Sequence, residues 1–336
     1  MEIGSVDLER DVLVIAEIGN NHEGDFGRAR EMIHAAAETG VQAVKFQTIV
    51  PERLVAAGQT ARLQQLGRFA FSRDQFAELA AEAHRAGVLF LSTPFDPAVV
   101  PWLDALVPAF KIASGDNNYT ALLTEVAHTG KPILLSTGMA SGEDITRVCA
   151  MIEDCWMTSG RRSEIVLLHC VSAYPTPPEQ ANLRALVTLA RESKRQVGYS
   201  DHTLGVDAAV LSVALGGRVI EKHFTLSKSQ SEFRDHALSA DPEEMAELVR
   251  RVKLAQSLLG DGVKVPQEAE RATTVAARRS IVARAALPAG HVITAQDLDW
   301  LRPGGGLNPG QESLLMGRKL TRPVAEGEMF TLDMVV

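Results

Sequence analysis

The sequence predicts an α/β fold, a closed (β/α)8 TIM barrel followed by a small β-rich domain. Three observations lead there. Eight short β-rich runs alternate with helical stretches up to Gly262. Nearly every run ends in a polar, reactive side chain. Beyond Gly262 this texture gives way to short β-like pieces set among Gly and Pro.

The runs fall at residues 12–17, 43–48, 88–93, 109–113, 132–136, 165–170, 196–200 and 218–223. Helical stretches at 27–39, 72–86 and 122–128 lie between them, and Gly40, Gly87 and Gly130 stand where a helix C-terminus takes a left-handed residue. Strands alternating with helices imply a parallel sheet, because parallel neighbours need long crossovers. Eight such units suit a closed barrel better than an open sheet, and no sequence repeat accompanies them. The expected boundaries are a barrel over 1–262, a polar connector over 263–279 and a second domain over 280–336. The β-like pieces of that domain are 280–285, 291–293, 319–323 and 329–332, and 302–309 (RPGGGLNP) reads as a loop. A domain this small buries little surface alone, so it is expected to pack on something.

Glu17, Lys45, Gln47, Thr93, Lys111, Ser136, His169, Ser200, His202 and His223 all fall at strand C-termini. In a barrel these ends share one rim, where active sites are built. The rest of the composition bounds the function. With 336 residues, 46% hydrophobic and 23% charged, the chain can bury a large core. A formal net charge of −8 argues against a nucleic-acid or anionic-membrane binder. The three cysteines have neither a paired framework nor zinc spacing, which suits a reducing compartment. The charged N-terminal residues do not read as a signal peptide, and no run approaches the ~18 apolar residues of a membrane span. The expectation is a soluble, cytoplasmic enzyme.

Lys45 and Lys111 at strand ends read either as ion-pairing lysines or as a clamp for a phosphate or carboxylate, with hydroxyls of Thr93, Ser136 and Ser200 on the same anion. His202 and His223 close the seventh and eighth strands, and neighbouring strands lie ~5 Å apart. They are either hydrogen-bonded structural residues or two ligands of one divalent metal, with the carboxylate of Glu17 nearby and open positions for substrate oxygens. His22 and His169 lack such partners and read as structural. A polarised aldehyde beside an anionic three-carbon donor suggests addition of the donor's methylene carbon to the aldehyde. Water then captures the oxocarbenium centre, and Glu17 handles the proton.

At this point the motifs resemble a known family. Ile15-Ala16-Glu17-Ile18-Gly19, Val44-Lys45-Phe46-Gln47-Thr48, Phe110-Lys111-Ile112-Ala113-Ser114-Gly115-Asp116, Leu135-Ser136-Thr137-Gly138-Met139, Ser200-Asp201-His202-Thr203 and Glu221-Lys222-His223-Phe224-Thr225 appear in order. Together they resemble the sialic acid synthases, and the tail, with Trp300-Leu301-Arg302-Pro303-Gly304, resembles their antifreeze-like (SAF) domain. The resemblance implies condensation of phosphoenolpyruvate with N-acetylmannosamine or a related N-acyl amino sugar, with Mn2+ or Mg2+, in a domain-swapped homodimer. Lys45, Thr93, Lys111, Ser136 and Ser200 match phosphoenolpyruvate contacts, and His202 and His223 match metal ligands. Glu17, Tyr174 and Asp235 match the sugar site, to which Gln47 and Asp116 are added. Arg302 matches an arginine that enters the partner's site. Glu17, His202 and His223 are the residues assigned to catalysis.

Asp116 stands where many bacterial members carry Glu, and Ser172 where several carry Asn. The segment 51–73 is short and has no match for a sugar-contacting asparagine, which leaves the acceptor open among N-acetylmannosamine, diacetamido sugars of legionaminic or pseudaminic acid, and spore-coat sugars. Three other readings compete. A metal-dependent barrel hydrolase usually needs a His-x-His pair, which this chain lacks. An ice-contacting module needs a flat Thr-rich face. A synthase acting on a sugar phosphate needs extra basic groups for the second phosphate.

Overall fold

Eight parallel strands stand where the alternation places them: β1 (Leu13–Gly19), β2 (Ala43–Thr48), β3 (Leu89–Pro94), β4 (Phe110–Ile112), β5 (Ile133–Ser136), β6 (Ile165–His169), β7 (Val197–Asp201) and β8 (Gly217–His223). The structure is a computed structural model that describes residues 1–336. It divides into two units, Met1–Gly260 and Asp261–Val336. The spatial order of the strands is β3-β2-β1-β8-β7-β6-β5-β4. Pairing of the first strand with the last, with Glu17 opposite His223, is what closes a barrel. At the remaining seam β3 and β4 lie side by side without a hydrogen-bonded ladder.

Strand periodicity positions the site. Successive side chains of a strand face opposite ways, and here the two parities fall into two separate cores. Val14, Ala16, Val44, Phe46, Phe90, Ile133, Leu135, Leu167 and Ile220 pack outward against the helices. Leu13, Ile15, Ala43, Leu91, Ala109, Leu134, Val166, Leu168 and Val219 fill the barrel interior. Stepping two residues further along six of the inward rows replaces an apolar side chain with a polar one: Ile15 with Glu17, Ala43 with Lys45, Leu91 with Thr93, Ala109 with Lys111, Leu134 with Ser136, and Val219 with Glu221 and then His223. The interior is therefore dry at its base and charged at its top.

The helices bury stripes at three- and four-residue spacing. Helix Phe26–Glu38 buries Ala29, Met32, Ile33 and Ala36, and helix Gly142–Thr158 buries Ile145, Cys149, Ile152 and Trp156. Ser72 and Ser141 start helices Arg73–Arg85 and Gly142–Thr158 with reciprocal capping boxes. Gly40, Gly87 and Gly130 have φ of +85°, +78° and +74°, the left-handed conformation expected of them. No helix is long and apolar enough to cross a membrane.

The N-terminal residues, which carry no strand signal in the sequence, form a small hairpin. Glu2–Ile3 pairs with Val6–Asp7, and Ile3, Val6 and Leu8 join the interior core. Their charged neighbours face outward and mask the alternation.

The second unit has its own core, which includes Ile281, Leu298, Leu315, Leu320 and Phe330. Its strands differ from the expected pieces. Ser280–Ala283 pairs antiparallel with Leu298–Leu301, while the regions around 291–293, 319–323 and 329–332 contribute only single bridges. The connector carries a short helix, Arg271–Ala277. The Gly-rich loop is tethered, because the Ser280 hydroxyl donates to the Pro303 carbonyl at 2.9 Å and accepts from Gly306 N–H at 3.0 Å.

Candidate active site

The charged top layer of the barrel is a chain of four buried groups. Glu17, Lys45, Lys111 and Glu221 are each at most 5% exposed. Lys45 Nζ lies 2.6 Å from Glu17 Oε2 and 3.7 Å from Glu221 Oε2, and it donates to Thr93 Oγ1 at 2.9 Å. Glu221 also faces Lys111 Nζ at 3.6 Å and accepts from Ser200 Oγ at 2.9 Å. Gln47 Nε2 donates to Glu17 Oε1, and Asn20 Nδ2 in turn donates to Gln47 Oε1, each at 2.9 Å. Gln47 thus orients Glu17.

Burial would push Glu221 up, but Lys111, Lys45 and the Ser200 hydroxyl hold it at about 2. Glu17 goes the other way: burial raises it, reinforced by the Glu221 charge and only partly offset by Lys45. Burial opposes the charge of Lys45, yet its two carboxylates hold its pKa above the ordinary value. Lys111, with one distant carboxylate, is lowered by burial. Two carboxylates in one site therefore hold opposite tendencies, one kept ionised and one drawn toward the proton.

Lys111 has few close partners. Its Nζ has only the Ile112 carbonyl at 3.1 Å and the Glu221 carboxylate. The hydroxyls of Ser136 and Ser172 are buried without a hydrogen-bond partner. The recess beside them is tight. A Cβ on Gly138 would stand 2.5 Å from Ser172 Oγ, 2.7 Å from Ser114 Oγ and 2.9 Å from Cys170 Sγ.

His202 and His223 come together as expected, with ring centroids 5.5 Å apart. His202 Nδ1 meets the Val171 carbonyl at 2.8 Å, which leaves Nε2 free, and His223 Nδ1 is buried without a partner. Burial lowers both below the ordinary histidine value, so both offer neutral lone pairs. This donor set fits a divalent cation that takes two protein nitrogens and completes its shell with substrate and water oxygens. Glu17 does not complete it, because it is turned to Lys45 and Gln47, and no group of three or more His, Cys, Asp or Glu side chains converges for a metal.

Tyr174 leans on both rings, with its centroid 4.2 Å from that of His202 and 6.1 Å from that of His223. Above them opens a cavity of about 310 Å³ whose lining includes Gln47, Ser172, Tyr174, His223 and Asp235. Other grooves of similar or larger volume exist, but neither is lined by Gln47, Tyr174 or His223. Chemistry, not size, selects the mouth. Asp116 sits in the turn Ser114–Asp116 outside the residues lining this cavity, and Arg302 is exposed in the second unit.

Parity along the strand separates other residues at the strand ends. His169 lies in the outward row of β6, where its Nε2 meets the Ala181 carbonyl at 2.9 Å and its ring stacks on Tyr199, a structural role. Lys222 and Asp201 are likewise outward and form a buried pair at 2.9 Å. Glu221, by contrast, belongs to the site, although in the sequence it stands only as a flank of the His223 motif. Its inward register, two residues before His223, is the signal that finds it.

Asp116 supports a test of pH dependence. Burial raises its carboxyl to about 6 from 3.8. The folded state therefore holds a proton that the unfolded state has lost between about pH 4 and 6, so stability falls with rising pH across that window and stays lower above it. D116N is expected to stabilise the protein by about 1–2 kcal/mol at pH 7.5, less than the full shift because the part-exposed carboxyl is screened by solvent, and by almost nothing at pH 4. Thermal melts at both values check this, and equal shifts at the two would contradict it.

The NeuB family model matches residues 32–264, and the SAF domain model matches residues 278–336. An uncharacterized protein of Methanocaldococcus jannaschii is 42% identical over 95% of this chain and 93% of its own length. The N,N'-diacetyllegionaminic acid synthase of Legionella pneumophila is 37% identical over 94% of this chain and 92% of its own. The crystal structure of the N-acetylneuraminic acid synthetase of Leptospira borgpetersenii superposes with a TM-score of 0.76 at 33% identity, covering 81% of this chain and 94% of that one. The chain belongs to the NeuB family of sialic, legionaminic and pseudaminic acid synthases and ends in a SAF domain.

Proposed function

We propose that the barrel mouth condenses phosphoenolpyruvate with the open-chain aldehyde of an N-acylated amino hexose, N-acetylmannosamine in the first reading, and releases phosphate. The observation that carries this is the pair of buried, unpartnered hydroxyls of Ser136 and Ser172 together with the buried ammonium of Lys111, donors that an incoming dianion would engage. A diacetamido hexose is the second reading, favoured by the likeness to the Legionella enzyme.

Lys45, Lys111 and the hydroxyls of Thr93 and Ser136 hold the carboxylate and phosphate of the donor, beside Ser200, whose hydroxyl donates to Glu221. Mn2+ or Mg2+, held by His202 and His223, supplies Lewis-acid polarisation of the acceptor aldehyde. Tyr174, Asp235 and Gln47, which line the cavity, frame the sugar, while Asp116 stands outside that lining. The donor's methylene carbon adds to the aldehyde carbon, forming the new C–C bond and leaving an oxocarbenium centre at C2. Glu17, whose raised pKa suits proton exchange, protonates the new alkoxide and then takes a proton from the water that adds at C2. The resulting hemiketal phosphate collapses to the ketone, and phosphate leaves with the hydroxyl proton.

Phosphate release from phosphoenolpyruvate with Mn2+ is expected only when an acceptor is present. The product mass should equal both substrates plus water minus phosphoric acid. Release without any acceptor would instead indicate the hydrolase reading.

Arg302 is assigned to the partner's site in a homodimer. Two inactive variants, R302A and H223A, are expected to regain up to about a quarter of wild-type activity when mixed and exchanged, since one site in a heterodimer is intact. No recovery despite confirmed exchange would remove the shared site.

A further inference from the structure

The outer wall of the mouth cavity carries two arginines that the reaction above does not use. Arg62 lies on helix Thr60–Phe69, within the short segment that lacks a match for a sugar-contacting asparagine, and Arg234 immediately precedes the short helix Asp235–Leu238. Both line the 310 Å³ cavity that reaches His223, and both also line a wider recess of about 500 Å³ outside it. Phe233, which lines both spaces as well, packs edge-on against Phe69 with centroids 5.2 Å apart, tying the two segments together.

Arg234 is held in place. Its guanidinium carbon lies 5.2 Å above the centre of the Tyr174 ring, and its Nε donates to Asp235 Oδ1 at 3.1 Å. Stacking and the ion pair use one face and one N–H of the group, leaving the terminal nitrogens as a flat fork of donors. Arg62 Nη1 donates to the Gln65 amide oxygen at 2.6 Å and keeps its other donors. The Asp235 carboxylate is already engaged by Arg234, so Glu232 is the only other acidic group lining either space. A guanidinium ordered in advance loses less freedom on meeting a ligand, and its geometry matches two oxygens of one oxyanion.

We propose that Arg62 and Arg234 are specificity-determining residues that bind an oxyanion, a phosphate ester or carboxylate, on the end of the acceptor sugar remote from its aldehyde. The inference rests on the proposed condensation for its chemistry and deepens it by naming the acceptor class. These residues are the extra basic groups that an acceptor with a second anion requires, in addition to the buried lysines that hold the first.

The test compares N-acetylmannosamine, its 6-phosphate and its 6-carboxylate as acceptors, with wild type, R62Q and R234Q. In wild type at least one anionic sugar is expected to exceed the neutral one in kcat/KM by about 10- to 100-fold, the range of a charge-assisted contact, chiefly through KM. R62Q and R234Q are each expected to shrink that ratio toward unity, whereas R62K, which keeps the charge, retains part of it. The phosphate and carboxylate arms distinguish the two sources of the oxyanion. Equal kcat/KM for all three sugars in wild type, or the same loss on all three in the variants, would overturn the proposal. Calorimetric binding of the same sugars to metal-loaded protein is read in parallel. If no sugar turns over but the anionic ones bind about 10-fold more tightly and lose that margin in R234Q, the condensation fails while the arginine site stands.

Discussion

K45M is expected to cost the protein its fold and K111M its activity alone, although both lysines are buried in the same layer. Lys45 is the sole cation within 4 Å of Glu17 and one of two beside Glu221. Removing it leaves Glu17 buried without a countercharge next to a second carboxylate, a situation that costs about 3–5 kcal/mol. Lys111 meets a single carboxylate, Glu221 at 3.6 Å, and Glu221 keeps Lys45 at 3.7 Å and Ser200 at 2.9 Å when Lys111 is gone. Its spare donors instead face the recess assigned to the donor's dianion. K111M should therefore melt within a few degrees of wild type yet lose about 10²–10³-fold or more in kcat/KM, the scale of losing a preorganised donor to a reacting anion. Chemical denaturation and steady-state phosphate release separate the two outcomes. A stable K45M, or a K111M with near-normal turnover, would show that the charge chain is wired differently.

The second large effect is expected at Gly198. This residue holds the inward position of β7 two places before Ser200, and its neighbours already occupy the space a side chain would take. An added Cβ would stand 2.4 Å from the Val219 carbonyl oxygen, 2.6 Å from Leu168 Cδ2 and 2.8 Å from Val219 Cβ. The first contact is with backbone of β8, so rotamer changes cannot relieve it. G198A is expected to destabilise the barrel by about 3 kcal/mol, at the upper end of overpacking costs, because β7 and β8 must part. Since those two strands carry His202 and His223, the surviving folded protein should also bind the divalent metal more weakly. Urea unfolding measures the first effect and metal titration the second, and a neutral G198A would contradict the close approach.

Much of this is legible in the sequence because the barrel repeats one rule. All eight strands follow from runs of β-formers between helical stretches, and the rim follows from the polar residue that closes each run. What strand ends alone do not reveal is parity. His169 ends a strand as prominently as Lys111 does, yet it sits in the outward row and packs against Tyr199. Glu221 lies inward beside the lysines but is hidden within Glu221-Lys222-His223-Phe224. Other features follow no period. The hairpin that plugs the barrel base has only Ile3, Val6 and Leu8 to declare it. The stretch between β8 and helix Pro242–Leu259, which sets Arg234 over Tyr174, is shaped by side-chain stacking between segments far apart in the chain. In the second unit, single bridges replace ladders, so strand propensity over-predicts strands there.

In the proposed reaction the donor's methylene carbon attacks the acceptor and water then adds at C2. Phosphoenolpyruvate labelled with 18O in the oxygen bridging C2 and phosphorus tests this most directly. Mass spectrometry of the released phosphate is expected to find the label there, since collapse of the hemiketal phosphate breaks the C2–O bond. Unlabelled phosphate, with the 18O at C2 of the organic product, would mean that water attacks phosphorus, and the proposed chemistry at the barrel mouth would be wrong.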